Sequence, residues 1–204
     1  MIGIVNYNMG NLASVMNAFT ELGIKAEVQS DPEKFASYDK LFLPGVGAFG
    51  DAMSHLRENG ADIAIKEFAA TGKPMLGICL GMQLLFDSSE EFGEHKGLGL
   101  IEGKVVEFDK SKFQTPLKVP HMGWNEMFIK RSSPIFEGMS DDFYLYFVHS
   151  YHAVCDDKFA IGKTNYGYEF VSSVQKDNIF GVQPHPEKSH DNGLKILTNF
   201  GKLK

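Results

Sequence analysis

The sequence predicts an α/β protein: an open, mostly parallel sheet flanked by helices, with additional antiparallel strands from the second half. Two observations carry this. Up to about residue 86, short apolar runs alternate with amphipathic stretches of helical period. From residue 103 onward, strand-like runs follow one another until a final helical stretch. There is no internal repeat, low-complexity tract or linker, so residues 1–204 are expected to form a single domain.

The elements follow in order. Ile2–Val5 reads as a strand, and 12–22 as a helix with Leu12, Val15, Met16, Phe19 and Leu22 on one face. Ala26–Gln29 and Lys40–Leu43 are the second and third strands, the latter ended by Pro44-Gly45. Residues 51–70 carry Met53, Leu56, Ile63, Ile65 and Phe68 and predict one helix. Met75–Ile78 is the fourth strand, and a helix is expected from 80 to about 86. Strands are then expected at 103–108, 124–128, 143–148, 170–175 and 178–183, with Lys176-Asp177 as a hairpin turn between the last two. Residues 193–200 close the chain as a helix.

Composition narrows the function. Hydrophobic residues make up 43%, with 17 Phe, enough for a full core, and the 23% charged residues argue against disorder. The net charge of −6 and the absence of a Lys/Arg cluster, with Arg57 and Arg131 the only arginines, argue against nucleic-acid binding. No apolar run is long enough for a membrane span, and the N-terminus runs directly into a strand without a secretory signal. Two cysteines, Cys79 and Cys155, make no disulfide framework, and the expected setting is a reducing cytoplasm.

Gly77-Ile78-Cys79-Leu80-Gly81 has the form Gly-x-nucleophile-x-Gly, with an apolar strand before it and a helical pattern after it. That is the context of a nucleophile elbow. The strand-to-helix turn is so tight that only small residues fit two positions either side of the nucleophile, and the dipole of a following helix favours a thiolate. The alternative is a buried structural cysteine between packing glycines, which is the reading for Cys155.

Gln183-Pro184-His185-Pro186-Glu187-Lys188 brackets a histidine with two prolines. Residues preceding proline are driven toward extended geometry, so Gln183 and His185 are expected to be extended. His185 and Glu187 then face one side of the chain, where the carboxylate orients the ring and the other nitrogen takes a thiol proton. A proline-rich surface turn with an incidental histidine is the alternative. Pro44-Gly45-Val46-Gly47, ending a buried strand, offers a backbone N–H to pair with that of Leu80 as an oxyanion hole. His55, His95 and His190 read as surface residues, while His121, His149 and His152 lie near strand ends, where pocket roles are open. No histidine pair has a metal-ligand spacing, so neither metal nor cofactor is expected.

Taken together, Pro44-Gly45-Val46-Gly47, Gly77-Ile78-Cys79-Leu80-Gly81-Met82-Gln83 and His185-Pro186-Glu187 resemble the class I, triad-type glutamine amidotransferases. PGVGAFGDAM at 44–53, PHMGWN at 120–125, YFVHSYH at 146–152 and GVQPHPEKS at 181–189 are similar to the histidine-pathway branch of that family, in the same order along essentially the whole chain. The resemblance implies hydrolysis of L-glutamine by Cys79, His185 and Glu187, with Leu80, Val46 and Gly47 around the oxyanion. It implies Gly45, Gln83, Glu91, His149, Ser150 and Tyr151 along the bound glutamine. It also implies a heterodimer with a (β/α)₈-barrel cyclase subunit that receives the ammonia, and Asn11, Trp124 and Lys188 match positions facing that partner. For Glu91 a surface role in the charged run 87–91, and for Trp124 a core anchor, are the competing readings. Pro184 departs from the family's usual phenylalanine. Three rival functions remain: a paralogous glutaminase feeding a sugar-modifying amidotransferase, a stand-alone γ-glutamyl cysteine hydrolase, and a non-enzymatic glutamine-binding regulator.

Overall fold

The computed structural model describes residues 1–204. Its strands are β1 (Ile2–Val5), β2 (Ala26–Gln29), β3 (Lys40–Leu43), β4 (Met75–Ile78), β5 (Phe86–Ser89), β6 (His95–Lys96), β7 (Ile101–Glu107), β8 (His121–Ile129), β9 (Asp142–His149), β10 (Tyr151–Val154), β11 (Ala160–Tyr166), β12 (Tyr168–Lys176) and β13 (Ile179–Val182). Its helices are α1 (Leu12–Glu21), α2 (Phe49–Glu58), α3 (Ala61–Ala70), α4 (Leu80–Gln83) and α5 (His190–Lys202). β2, β1, β3, β4 and β13 lie side by side in parallel. β12 then pairs antiparallel with β13, and the sheet runs on through β10 and β7 to β5 and β6. β11, β8 and β9 form an antiparallel branch from β12. This is the α/β architecture the sequence predicts, with the antiparallel strands supplied by the second half.

β1, β3 and β4 are buried at every position, because helices cover both faces of the parallel part. Successive side chains alternate between two cores. Val5, Leu41, Leu43 and Met75 pack with α2 and α3 on one face. Ile4, Phe42 and Leu76 pack on the other with Val15 and Phe19 of α1 and Ile196, Leu197 and Phe200 of α5.

Several boundaries differ from the sequence expectation, each for a local reason. The single helix expected over 51–70 is two, α2 and α3, because Gly60 adopts a left-handed φ of 77° and the Asn59 side chain accepts the Ala61 N–H at 3.1 Å. The helix expected to about 86 stops at Gln83. Leu84, Leu85 and Phe86 are all fully buried rather than arranged on one face, and Phe86 pairs with Ile101 to start β5. β10 and β11 were not foreseen, since Tyr151–Val154 is short and Ala160–Tyr166 is interrupted by Gly162 and polar residues. The last hairpin turns at Asp177-Asn178, one residue later than expected: Lys176 still pairs with Ile179, and Asp177 takes the positive φ of 51°.

The turn from β4 into α4 is the tightest packing in the parallel half. A Cβ on Gly77 would lie 2.6 Å from the Gly81 carbonyl oxygen, and one on Gly81 would lie 1.9 Å from the Leu43 carbonyl oxygen. Neither neighbour is a flexible side chain that can swing aside. Gly81→Ala is therefore expected to destabilise the fold by at least about 3 kcal/mol in urea denaturation. Gly23→Ala, strained by its φ of 66° but with open space around it, is expected to cost about 1 kcal/mol.

Candidate functional site

The register of the parallel strands builds the site. Val182 pairs with Ile78, and the Cys79 N–H donates to the Val182 carbonyl at 2.9 Å. The residues following each strand, Cys79 on one and Gln183 to His185 on the other, therefore emerge at the same sheet end. Leu43 pairs with Gly77 on the other side of β4, which sets the Pro44–Gly47 turn beside the same point. This is the end of a parallel sheet where α/β proteins place their sites.

Cys79 sits at φ 53°, ψ −114°, a conformation that costs a non-glycine residue about 1–3 kcal/mol. The crossing of Gly77, Gly81 and Leu43 holds it there. The cysteine is 8% exposed. Its sulfur approaches the Val148 carbonyl at 3.9 Å and the Gln183 amide nitrogen at 3.7 Å.

His185 is extended, as expected, at φ −102°, ψ 92°. Glu187 is not: it lies in a 3-10 turn, Pro186–Lys188, in which Lys188 N–H donates back to the His185 carbonyl at 3.0 Å. Pro186 occupies the first position of that turn, where its fixed φ suits it. The two side chains still meet, with His185 Nδ1 2.8 Å from Glu187 Oε1 and both side chains almost wholly buried. His185 is clamped from behind. Its N–H donates to the Tyr146 carbonyl at 2.9 Å, and its carbonyl accepts the Ser189 hydroxyl at 2.6 Å. Ser189 Oγ in turn accepts the Tyr146 N–H at 2.9 Å. With Nδ1–H committed to the carboxylate, Nε2 is buried and without a partner.

Burial alone would hold the His185 ring neutral, but the Cys79 sulfur and the Glu187 carboxylate outweigh it and push the imidazole up to about 10. The arrangement thus favours the protonated form of the His185 ring.

Cys79 and His185 line one cavity of about 490 Å³. Val46, Gly47 and Leu80 form its wall on the α4 side, and Gln83, Glu91, His149, Ser150 and Tyr151 line it as well. Of the positions named from sequence, Gly45 lies outside the lining. It is buried behind it, where a Cβ would meet the Tyr7 hydroxyl at 2.5 Å and the Gly81 nitrogen at 2.9 Å. Its smallness is required by that packing. Glu91 is not a free surface carboxylate: Oε2 accepts the Phe49 N–H at 2.7 Å at the start of α2, and burial raises its carboxyl. Tyr7, with no signal in the sequence, donates its hydroxyl to the Pro44 carbonyl at 2.8 Å and pins the turn; burial, then the charge on Cys79, raises its phenol. Phe92 and Glu107, outside every motif, complete the lining with Pro120 and Val148, which lie in the 120–125 and 146–152 segments but were given no role there.

His149 and His121 extend the site inward. His149 Nδ1 lies 2.8 Å from the Tyr151 carbonyl, its Nε2 3.0 Å from His121 Nδ1, and Asn125 Nδ2 lies 3.1 Å from His121 Nε2. Burial pushes His121 down to about 4 and His149 well below the imidazole range. Cys155 is half-buried, and burial followed by Asp157 and Asp156 pushes its thiol up to about 11, an inert thiol.

The three positions expected to face a partner are all exposed, and none lines the cavity. Trp124 is 47% exposed, not a core anchor, and stacks on His190 at 5.1 Å and 3°. His190 and Lys188 border a groove of about 420 Å³ against α1, which Asn11 caps by accepting the Ser14 N–H at 3.3 Å. Met122 and Tyr144 are exposed on the same hairpin as Trp124. No helix is long and apolar enough to cross a membrane.

The family model "Glutamine amidotransferase class-I" matches residues 4–203. Among curated proteins, the chain is 71% identical to the imidazole glycerol phosphate synthase subunit HisH of Sulfurimonas denitrificans, over 100% of this chain and 99% of that protein. It is 57% identical to the subunit of the same name from Wolinella succinogenes, over 100% of both. Among solved structures it superposes on PurLQS from Thermotoga maritima with a TM-score of 0.77 at 19% identity, covering 98% and 96% of the two chains. A structure described as glutamine amidotransferase gives 0.75 at 17%, covering 99% of both. These two share the fold.

In ¹⁵N NMR titration, His185 is expected to stay protonated through about pH 8, losing its proton only as the pH rises toward about 10. His121 is expected to remain neutral down to about pH 5. Glu187→Gln removes a charge that favours the protonated ring, so the His185 midpoint is expected to fall; an unchanged midpoint would show that the carboxylate is not its electrostatic partner.

Proposed function

The chain belongs to the class I glutamine amidotransferases, and from that premise we propose that it is the glutaminase subunit of an imidazole glycerol phosphate synthase. The single observation that carries the chemistry is Cys79, held at a strained elbow, in one cavity with a His185 whose far nitrogen is fixed by Glu187. The pathway rests on full-length relatives at 71% and 57% identity that bear that subunit's name. That similarity does not favour the paralogous sugar-modifying pathway, despite Pro184. Pro184 is buried, and the His185–Glu187 contact is intact beside it.

The reaction follows from the site. L-Glutamine enters the cavity with its amino-acid end toward Glu91 and Gln83, and its side chain along Ser150 and toward Cys79. The carboxylate of Glu91 suits an ammonium, and Gln83 keeps its Oε1 free while its nitrogen is engaged. The Cys79 thiolate attacks the amide carbon, and the oxyanion that forms is held by the Leu80 N–H and one from the Val46-Gly47 turn. Protonated His185 gives its proton from Nε2 to the departing nitrogen, releasing ammonia and leaving a γ-glutamyl thioester. Neutral His185 then takes a proton from water, the hydroxide attacks the thioester carbon, and glutamate leaves as Cys79 and His185 return to their starting charges. Glu187 stabilises the imidazolium at both steps. No cofactor takes part.

The ammonia is consumed by a partner, a (β/α)₈-barrel cyclase subunit that makes imidazole glycerol phosphate and AICAR. The exposed Trp124, Lys188 and the start of α1 at Asn11 form the face that meets it. Glutamine hydrolysis is slow alone and stimulated by the cyclase, so that ammonia is not wasted. The free Cys79 thiol fits a reducing cytoplasm.

Glutamate release from glutamine, measured with and without the cyclase and its nucleotide ligand, tests this. Strong stimulation is expected, and Cys79→Ala is expected to lower turnover by at least about a thousandfold. Equal rates with and without the cyclase would overturn the pathway, and wild-type turnover in Cys79→Ala would overturn the chemistry. Trp124→Ala is expected to weaken cyclase binding about tenfold or more in isothermal titration.

A further inference from the structure

The hydrogen bonds around Tyr151 O determine which end of each nearby amide points where. A carbonyl oxygen only accepts, so the Gln83 atom 3.1 Å from it is Nε2, a donor. The same nitrogen lies 3.0 Å from the Gln183 side chain, so the Gln183 atom there is Oε1, an acceptor. The remaining amide atom of Gln183, 3.7 Å from Cys79 Sγ, is therefore Nε2, carrying a hydrogen toward the sulfur. Neutral His149, whose Nδ1 lies 2.8 Å from Tyr151 O, holds that carbonyl in place from the other side.

We propose that Gln183 is a further catalytic residue, which stabilises the Cys79 thiolate by donating its side-chain N–H to the sulfur, with Gln83 fixing the direction of the donation. The inference rests on Cys79 being the nucleophile.

The chemistry distinguishes the two charge states of the sulfur. A thiol can donate to the Val148 carbonyl, its other polar neighbour, at 3.9 Å. A thiolate can only accept, and beside a carbonyl oxygen it is repelled. Gln183 supplies an uncharged donor from a second direction, independent of the His185 ring. A charge-assisted N–H bond to an ionised acceptor is about twice as strong as a neutral one. The donor is well held: Gln183 is fully buried, its backbone N–H donates to the Ser172 carbonyl at 2.8 Å, and Pro184 stiffens the chain behind it. Cys79 and Gln183 lie 104 residues apart and meet only through the β4–β13 register.

Gln183→Met keeps length and volume and removes the donor. Alkylation of Cys79 by iodoacetamide, resolved from Cys155 by peptide mass spectrometry, is expected to slow about tenfold near pH 7. The difference from wild type is expected to shrink as the pH is raised. In glutamine turnover kcat is expected to fall about tenfold, with KM changed less than about twofold. A folded Gln183→Met protein, shown by its circular dichroism, that alkylates at the wild-type rate near pH 7 would overturn the inference. If the variant does not fold, the wild-type chain labelled with ¹⁵N-glutamine still decides. The Gln183 side-chain amide signal is expected to move across the pH interval in which Cys79 becomes reactive, and to stay fixed in Cys79→Ala. A wild-type signal that stays fixed overturns the inference. Neither the alkylation nor the amide-signal readout uses glutamine as substrate, so a protein that fails to hydrolyse glutamine yet shows both effects would count against the proposed function and not against this bond.

Discussion

The backbone crossing of Gly81 over the Leu43 carbonyl is the constraint from which the site follows. The two chains approach so closely that neither Gly81 nor Gly77 can carry a side chain. That approach turns the chain sharply out of β4 and forces Cys79 into its left-handed conformation. It also brings the Pro44–Gly47 turn against the start of α4, where Tyr7 locks it through the Pro44 carbonyl. The strain at Cys79 is held because the buried strands on either side over-determine the turn. The positions of Cys79 and of the Pro44–Gly47 turn are thus set by backbone packing.

The second constraint is electrostatic. A buried histidine alone would be neutral. Here a sulfur and a carboxylate reverse that tendency, and the cost of burying the ring and the carboxylate is offset in part by the contact between them. The neighbouring histidines show the contrast. His121 and His149 face backbone carbonyl, amide and each other rather than carboxylates, and burial keeps them uncharged. One sheet end therefore holds one imidazole that favours its charged form and two that favour the neutral one.

The parts of the site legible in the sequence were those written in local backbone chemistry. Glycines two positions either side of Cys79 and prolines either side of His185 each restrict a few consecutive residues, so their meaning survives without knowledge of the fold. Gln183 stood inside that same segment, but its role depends on β13 lying beside β4, which no local pattern encodes. Tyr7 and Phe92 carry no pattern at all. At Gly45 the close approach that glycine permits includes that of Tyr7 and Gly81, which no local pattern announces. In the fold, the strands of the parallel half were legible because full burial demands continuous apolar runs. The break at Asn59-Gly60 was visible but masked by the amphipathic pattern on both sides. β11 was missed because polar residues at Lys163, Thr164 and Asn165 dilute its pattern, although Thr164 is fully buried and bonded to Ser172.

The central claim is that Cys79 takes the γ-glutamyl group from glutamine. Rapid acid quenching during turnover, followed by peptide mass spectrometry, tests it most directly. The account predicts a base-labile γ-glutamyl adduct on the peptide holding Cys79, formed with glutamine and absent with glutamate under the same conditions. An adduct on any other residue, or turnover with no adduct at Cys79 when thioester hydrolysis is made limiting, would contradict it.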